Sequence, residues 1–182
     1  MGNPLIFACV LLVVGVLFPL SDSRAMAQTN GQVEVKTDRG IISVELKETS
    51  LIEKPDHKLT LSLETLFNSE SPGNESYVAD FFSYSKSAVP FGDLTIHCLV
   101  DGKLLSLKKA QRPEDRDRAR PRASDEFYTL IDLQDLEKMA SGTKVEMRIG
   151  SVEWTIPDQS LLAIREFVNT AKRHKESLKK AK

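Results

Sequence analysis

Apolar and polar residues alternate along most of this chain, and short turn sequences divide the alternation into paired strands. The clearest turn is Gly150-Ser151, which suits a type II′ turn with glycine at the first central position. It pairs Met147 with Trp154 on an apolar side, and Arg148 with Glu153, opposite charges, on the other side. A period of two is typical of a strand with one buried face, so these alternating stretches are constrained to β structure.

The same period predicts further strands earlier in the chain. Asp38-Arg39-Gly40 is a turn between two alternating stretches and predicts a first hairpin. Leu59, Leu61 and Leu63 alternate with polar residues, which predicts a strand with one buried face. The aromatic stretch from Tyr77 to Tyr84 is also expected to be a strand.

A second hairpin is expected over residues 94–107, with Asp101-Gly102 as its type I′ turn. This turn sets Cys98 opposite Leu105 on an apolar side and places His97 on the polar side. Cys98 is therefore expected in the core, where burial raises the pKa of a thiol and leaves it unreactive.

Two helices are expected in the last third. Residues 133–140 have a helical apolar spacing, with Asp132 as N-cap and Gly142 as the stop. Residues 158–175 form the main helix, and an apolar stripe runs along it. Because short connections join neighbours in space, this helix is expected to cover the apolar face of the preceding hairpin.

These elements predict one domain that is mainly β (α+β). The expected architecture is an antiparallel β-sandwich or open barrel, with one short helix and a C-terminal amphipathic helix over one face or edge. Its predicted limits are 28–171, and residues 111–126, rich in arginine and acids, are expected to be an exposed loop. Residues 172–182 form a basic tail with six Lys and Arg and one Glu.

The first residues are not expected to belong to the fold. Residues 5–20 carry no charge, and Ala25-Met26-Ala27 follows them with the A-x-A pattern of a signal peptidase site. The apolar run is shorter than the roughly 20 residues of a spanning helix. We interpret 1–27 as a signal peptide cut before Gln28. The mature chain is then exported, periplasmic or secreted, has no transmembrane helix, and keeps Cys98 as its single thiol.

Motifs for catalysis and for metal binding are missing from the sequence. His57, His97 and His174 lie far apart, and there is no H-x-x-H, C-x-x-C, G-x-S-x-G or glycine-rich phosphate loop. We therefore expect no cofactor and no metal, and assign no catalytic residue. A Ser–His–Asp set brought together in space stays possible. The net charge of −1 argues against a chain tuned for nucleic acid.

Binding residues can be suggested from two groups of side chains. The candidate ligand or partner contacts are Tyr77, Phe82, Tyr84, Lys172, Arg173 and Lys175. The aromatic side chains could stack on sugars or on a partner, although large aromatic residues usually lie in the core. The cations could attract a protein or an anionic envelope component, although cations also suit a solvated helix end.

Several stretches resemble a group of uncharacterised exported bacterial proteins. They are Asp101-Gly102-Lys103, the strand from Phe127 to Leu133 that runs into a short helix, VEMRIGSVEWTI at 145–156, and LLAIREFV at 161–168. The likeness covers about 95–168, roughly half of the mature chain. It implies a shared β-rich scaffold and assigns a role to no residue.

Three functions remain open on the sequence. The favoured one is a non-enzymatic exported binding or interaction module of unknown ligand. The alternatives are a small hydrolase that uses carboxylates and a carrier of a small apolar ligand in a β-lined cavity. A filled interior with an exposed patch favours the first, a deep polar pocket the second, and a large apolar cavity the third.

Overall fold

The computed structural model describes residues 31–68, 73, 75–86, 91–113 and 124–180. The predicted signal peptide and most of the Arg- and acid-rich stretch lie outside the described residues. The described part forms nine strands and two helices: β1 Val33–Asp38, β2 Ile41–Lys54, β3 His57–Asn68, β4 Tyr77–Ser85, β5 Ile96–Val100, β6 Lys103–Ser106, β7 Ser124–Ile131, α1 Leu133–Ser141, β8 Val145–Ile149, β9 Val152–Thr155 and α2 Asp158–Lys180.

The strands form two antiparallel sheets. A five-stranded sheet has the order β1-β2-β3-β4-β7, and a four-stranded sheet has the order β6-β5-β8-β9. The predicted fold class is confirmed: the chain is mainly β, its strands are antiparallel, and it has one short helix and a C-terminal helix.

The predicted hairpin registers are confirmed. Asp101-Gly102 has positive φ angles of +50° and +79°, as a type I′ turn requires, and Cys98 pairs with Leu105. Gly150 has φ +58°, and Arg148 pairs with Glu153 beyond it. Turn chemistry is local, and that is why these pairings could be predicted from the sequence.

The two sheets are joined along one side by the residues that follow β6. The Ala110 N–H donates to the Leu94 oxygen at 3.0 Å, beside the four-stranded sheet. Gln111 and Tyr128 of β7 exchange two backbone hydrogen bonds of 2.8 Å. Arg112 then holds Asp125 with two hydrogen bonds of 3.0 and 3.2 Å. Gln111 and Arg112, predicted to lie in an exposed loop, thus form a fixed connection together with Ala110.

Helix α2 lies against β2 and α1, and this corrects the prediction that it chiefly covers the β8–β9 hairpin. Its nearest strands are β2, then β3 and β1, and its nearest helix is α1. Small residues allow the close approach. Ser160 donates to the Ser50 oxygen at 2.6 Å, and a Cβ added to Gly31 would collide with Ala163. The helix also continues to Lys180, five residues beyond its predicted end.

The end of α1 depends on the neighbouring helix. Gly142 follows α1 as predicted, but its φ is −66°, so left-handed backbone is not the reason for glycine there. A Cβ at this position would lie 2.6 Å from Cγ1 of Val100. Arg165 of α2 caps the helix, donating from Nε to the Ala140 oxygen at 2.6 Å and from Nη2 to the Gly142 oxygen at 2.7 Å.

The core is one cluster of apolar side chains contributed by both sheets and both helices. The rings of Phe81 and Phe127 stack with their centroids 5.1 Å apart, and the ring of Phe91 packs on Phe127 at the same centroid distance. Cys98 and Trp154 are buried, as predicted. Neither helix in the described part of the chain has the length and apolar character needed to cross a membrane.

Candidate functional site

The four-stranded sheet has one face on the core and one open face, which we call the outer B face. The two hairpin turns fix the register within each hairpin, and the pairing of β5 with β8 aligns the two hairpins, so the side chains of this face form two rows across the strands. One row is Leu104, Leu99, Glu146 and Thr155, and the next is Ser106, His97, Arg148 and Glu153. Each row is four strands wide, which is about 14 Å at 4.8 Å per strand.

Two leucines give the outer B face an apolar end. Leu99 and Leu104 are cross-strand partners, and their exposed fractions are 37% and 68%. Cross-strand apolar pairs usually face the core. An exposed pair beside charged residues therefore indicates a surface that binds a partner or a ligand.

Arg148 and His97 lie side by side at the centre of the outer B face. The closest acid to Arg148 is Glu153, 3.6 Å from Nη1, which is longer than a hydrogen bond. Within the described residues neither side chain, Arg148 or His97, makes a hydrogen bond. Glu146 is already paired with Lys144 at 2.7 Å. The donors of the guanidinium therefore remain available to an anionic group.

Two shallow clefts meet at these central residues. A cleft of about 510 Å³ is lined by the apolar pair, the central residues and the ends of β8 and β9. A second, of about 630 Å³, is lined by Gly92, Asp93, Thr95, Gly150 and Ser151. His97 and Arg148 line both clefts, so a ligand that occupies the two clefts together would contact both side chains.

The structure separates the three predicted aromatic contacts. Tyr77 is 4% exposed, and burial, with Glu75 and Glu137 nearby, raises the pKa of its hydroxyl to about 12. Phe82 is half-buried and Tyr84 is 47% exposed, both on the open face of the five-stranded sheet. Tyr77 thus presents almost no surface to a partner, and only Phe82 and Tyr84 lie together.

The three predicted cationic contacts are bonded within the chain. Lys172 pairs with Glu137 at 2.9 Å, and Lys175 pairs with the buried carboxylate of Glu75 at 3.0 Å. Arg173 donates to the Thr170 hydroxyl at 3.0 Å. The two ion pairs hold the C-terminal half of α2 against the body, and the Arg173 bond lies within the helix. Each of the three bonds would compete with an outside anion for the same side chain.

A serine–histidine contact does occur, although it is not accessible. Ser83 Oγ lies 3.2 Å from Nε2 of His57. Ser83 is only 2% exposed, so a substrate cannot reach its hydroxyl without opening the sheet. Burial also lowers the pKa of His57. We interpret the contact as a structural hydrogen bond between neighbouring strands.

Other titratable groups give little sign of a catalytic centre. Burial raises the pKa of the Cys98 thiol to about 12, which keeps it protonated. Burial and the carboxylates of Glu126 and Glu64 raise the pKa of Asp80 to about 6 on the open face of the five-stranded sheet. Among the described residues, no group of His, Cys, Asp and Glu is arranged to hold a metal ion.

Comparison of this chain with family models, curated proteins and solved structures gives no match. The outer B face is therefore interpreted from its own geometry. The sequence places His97 and Arg148 on the polar sides of two separate hairpins. That they are neighbours depends on the pairing of β5 with β8. A signal was present in the sequence, since the register that buries Cys98 leaves Leu99 and Leu104 on the polar side.

Proposed function

We propose that this chain is a non-enzymatic exported binding module whose partner docks on the outer B face. The observation that carries the proposal is the exposed Leu99–Leu104 pair beside Arg148, whose guanidinium makes no hydrogen bond within the described residues. An apolar pair next to an arginine whose guanidinium makes no hydrogen bond is a common composition of the centre of an interface.

The partner that fits this face is an extended protein segment with an apolar side chain at one position and an acidic side chain two residues further along. Leu99 and His97 are two residues apart on β5, so their side chains stand about 6.6 Å apart along the strand. Side chains at positions i and i+2 of an extended peptide have the same spacing. An apolar residue on the leucines then brings a carboxylate to Arg148, where a bidentate contact is possible.

The single apolar core cluster supports a surface role over a carrier role. The buried apolar residues form one cluster, and the two clefts of the outer B face open at the surface. A carrier of an apolar molecule needs an enclosed apolar cavity within the β fold.

Export is supported by the apolar run and the Ala25-Met26-Ala27 pattern, and by the resemblance of residues 95–168 to exported bacterial proteins. The mature amino terminus is expected to be Gln28. Sequencing the amino terminus of the protein from separated cell fractions tests this, and an intact Met1 in the soluble cytoplasm would contradict it.

Two octapeptides test the binding face: a Leu-Glu peptide that repeats Leu-Thr-Glu-Thr, and a Leu-Lys peptide that repeats Leu-Thr-Lys-Thr. In each, Leu and the charged residue are two positions apart and lie on the same side of the extended chain. Trp154, the single tryptophan of the chain, lines the cleft of about 510 Å³ at β9 and reports binding by its fluorescence. The Leu-Glu peptide should bind at least about tenfold more tightly, a difference of about 1.4 kcal/mol. Equal binding of the two peptides, or no binding of either, would overturn the proposal.

Three variants locate the contact. Leu104→Asp should abolish binding of the Leu-Glu peptide, whereas Leu162→Asp, at an exposed leucine of α2, should leave it unchanged. Arg148→Glu should reverse the preference so that the Leu-Lys peptide binds more tightly. Circular dichroism confirms that each variant is folded. Unchanged binding by the Leu104→Asp variant would place the site elsewhere.

A further inference from the structure

Strand β1 is an edge of the five-stranded sheet, and one side of its backbone is unpaired within the described residues. The Gln32 oxygen accepts a hydrogen bond from the Lys47 N–H at 2.9 Å. Since the direction of main-chain groups alternates along a strand, Glu34 and Lys36 also bond to β2. Val33, Val35 and Thr37 then direct their N–H and C=O groups away from the sheet.

The side chains of β1 are arranged symmetrically about Val35. Glu34 and Lys36 flank it and point to the open face of the sheet, where both lie near Glu45 and Lys47. Val35 itself points to the other face and is 43% exposed. An exposed valine in an unpaired edge strand is a site at which another strand can add.

We infer that β1 pairs with β1 of a second copy of this chain, antiparallel and centred on Val35. Val35 then faces Val35 of the second copy, and Val33 faces its Thr37. These are the residues with outward main-chain groups, and each such pair exchanges two hydrogen bonds. The two five-stranded sheets become one continuous sheet around a two-fold axis.

Charge complementarity selects this arrangement. In the antiparallel pairing each Glu34 stands opposite Lys36 of the other copy, and opposite charges across a strand pair are stabilising. A parallel pairing in register would set Glu34 against Glu34 and Lys36 against Lys36, which is destabilising. The order Val-Glu-Val-Lys-Thr is therefore self-complementary in one direction only.

The expected dimer is weak and reversible. A single pair of edge strands buries less than the roughly 1,200 Å² at which standard interfaces begin. Its population should therefore rise with protein concentration. This inference concerns β1 alone and does not depend on the outer B face, so either can fail without the other.

Charge variants of β1 test the pairing by sedimentation velocity over a series of concentrations. The wild type should dimerise as its concentration rises. Lys36→Glu and Glu34→Lys should each be monomeric, because each sets like charges opposite one another. An equimolar mixture of the two variants should dimerise again, since every pair across the mixed interface joins opposite charges. A monomeric wild type, or single variants that dimerise like it, would overturn the inference.

A disulfide tests the register. In the proposed dimer the two Val35 Cα atoms are about 5.5 Å apart, within the usual range for a disulfide. Val35→Cys should form a cross-linked dimer under oxidation. Ile41→Cys, an exposed residue outside β1, is the control and should not. Equal cross-linking of the two variants would show that contact is random and would overturn the register.

Discussion

The Ser160 hydroxyl donates a 2.6 Å hydrogen bond to the main-chain oxygen of Ser50. The bond joins the first turn of α2 to the part of β2 where its register with β3 shifts. Thr49 Oγ1 donates in turn to Ser160 Oγ at 3.0 Å. A serine, small and able to both donate and accept, therefore lets the helix approach the strand closely without leaving a buried polar group unpaired.

Loss of this hydroxyl should destabilise the fold. Ser160→Ala removes the donor to the Ser50 oxygen and the acceptor for Thr49, and a buried polar group left unpaired costs about 1–3 kcal/mol. Ser177→Ala is the control, because Ser177 bonds to its own helix at an exposed position. Urea unfolding measures both variants, and a midpoint for Ser160→Ala as high as that of the control would contradict the argument.

Arg165 should be needed for the C-terminal end of α1. Arg165→Met keeps most of the apolar stem but removes both donors to the Ala140 and Gly142 oxygens. A hydrogen bond from a charged group is worth about 1.5–3 kcal/mol, so the loss of both bonds should cost about 3 kcal/mol or more. Hydrogen exchange over residues 133–141 should become faster. Arg148→Met, at an exposed ion pair, should cost well under about 1 kcal/mol.

Asp80 should make the protein less stable at high pH. Burial, Glu126 and Glu64 raise its folded pKa to about 6, above the 3.8 of the unfolded chain, so the folded state binds the proton more tightly. Its favourable contribution is complete below about pH 4 and is lost as the pH rises through 6. The free energy of unfolding of Asp80→Asn should therefore be higher than that of the wild type by about 1 kcal/mol at pH 8, after allowance for solvent screening.

Thermal unfolding of both proteins between pH 4 and pH 8 measures this difference. The advantage of Asp80→Asn should shrink toward zero at the acid end. A variant that is less stable than the wild type at pH 8 would show that the Asp80 carboxylate has a stabilising partner.

Cys98 should be unreactive in the native protein. It is 0% exposed, and burial raises the pKa of its thiol to about 12. A thiol reagent should label it only as fast as the protein unfolds. Cys98→Ala should cost about 1 kcal/mol because it removes only a small apolar group. Rapid labelling of the folded wild type would contradict the register of the β5–β6 hairpin.

The hairpins could be predicted because their information is local. Asp101-Gly102 and Gly150-Ser151 specify turn types, and a two-residue turn sets every pair behind it. The burial of Cys98 and Trp154 follows from those registers.

The partners of the helices could not be predicted, because they depend on residues far apart in the chain. The apolar stripe of α2 predicts that one face of the helix is buried, but it does not indicate which strand that face packs against. Ser160 donates to the main-chain oxygen of Ser50 in β2, and Ala163 packs against Gly31. Both partners lie more than 100 residues earlier in the chain. The role of Gly142 depends likewise on Val100 of a different hairpin.

The candidate site was predicted in pieces. The polar side of each hairpin followed from the alternation, so His97 and Arg148 were each placed outward. Their adjacency required the antiparallel pairing of β5 with β8, two strands that are separated in sequence by β6, β7 and α1. The predicted contacts Tyr84 and Phe82 lie on the other sheet, and Lys172, Arg173 and Lys175 lie on the helix.

The position of α2 after all nine described strands has a consequence for the order in which the protein folds. Strands β1 to β4 are consecutive in the chain and adjacent in their sheet, so they pair through short loops, which favours rapid folding. The helix that covers β2, 23 residues long, is synthesised only after all of these strands. Until it arrives, the apolar side of β2 faces water, and this interval is when the nascent chain is most prone to aggregate.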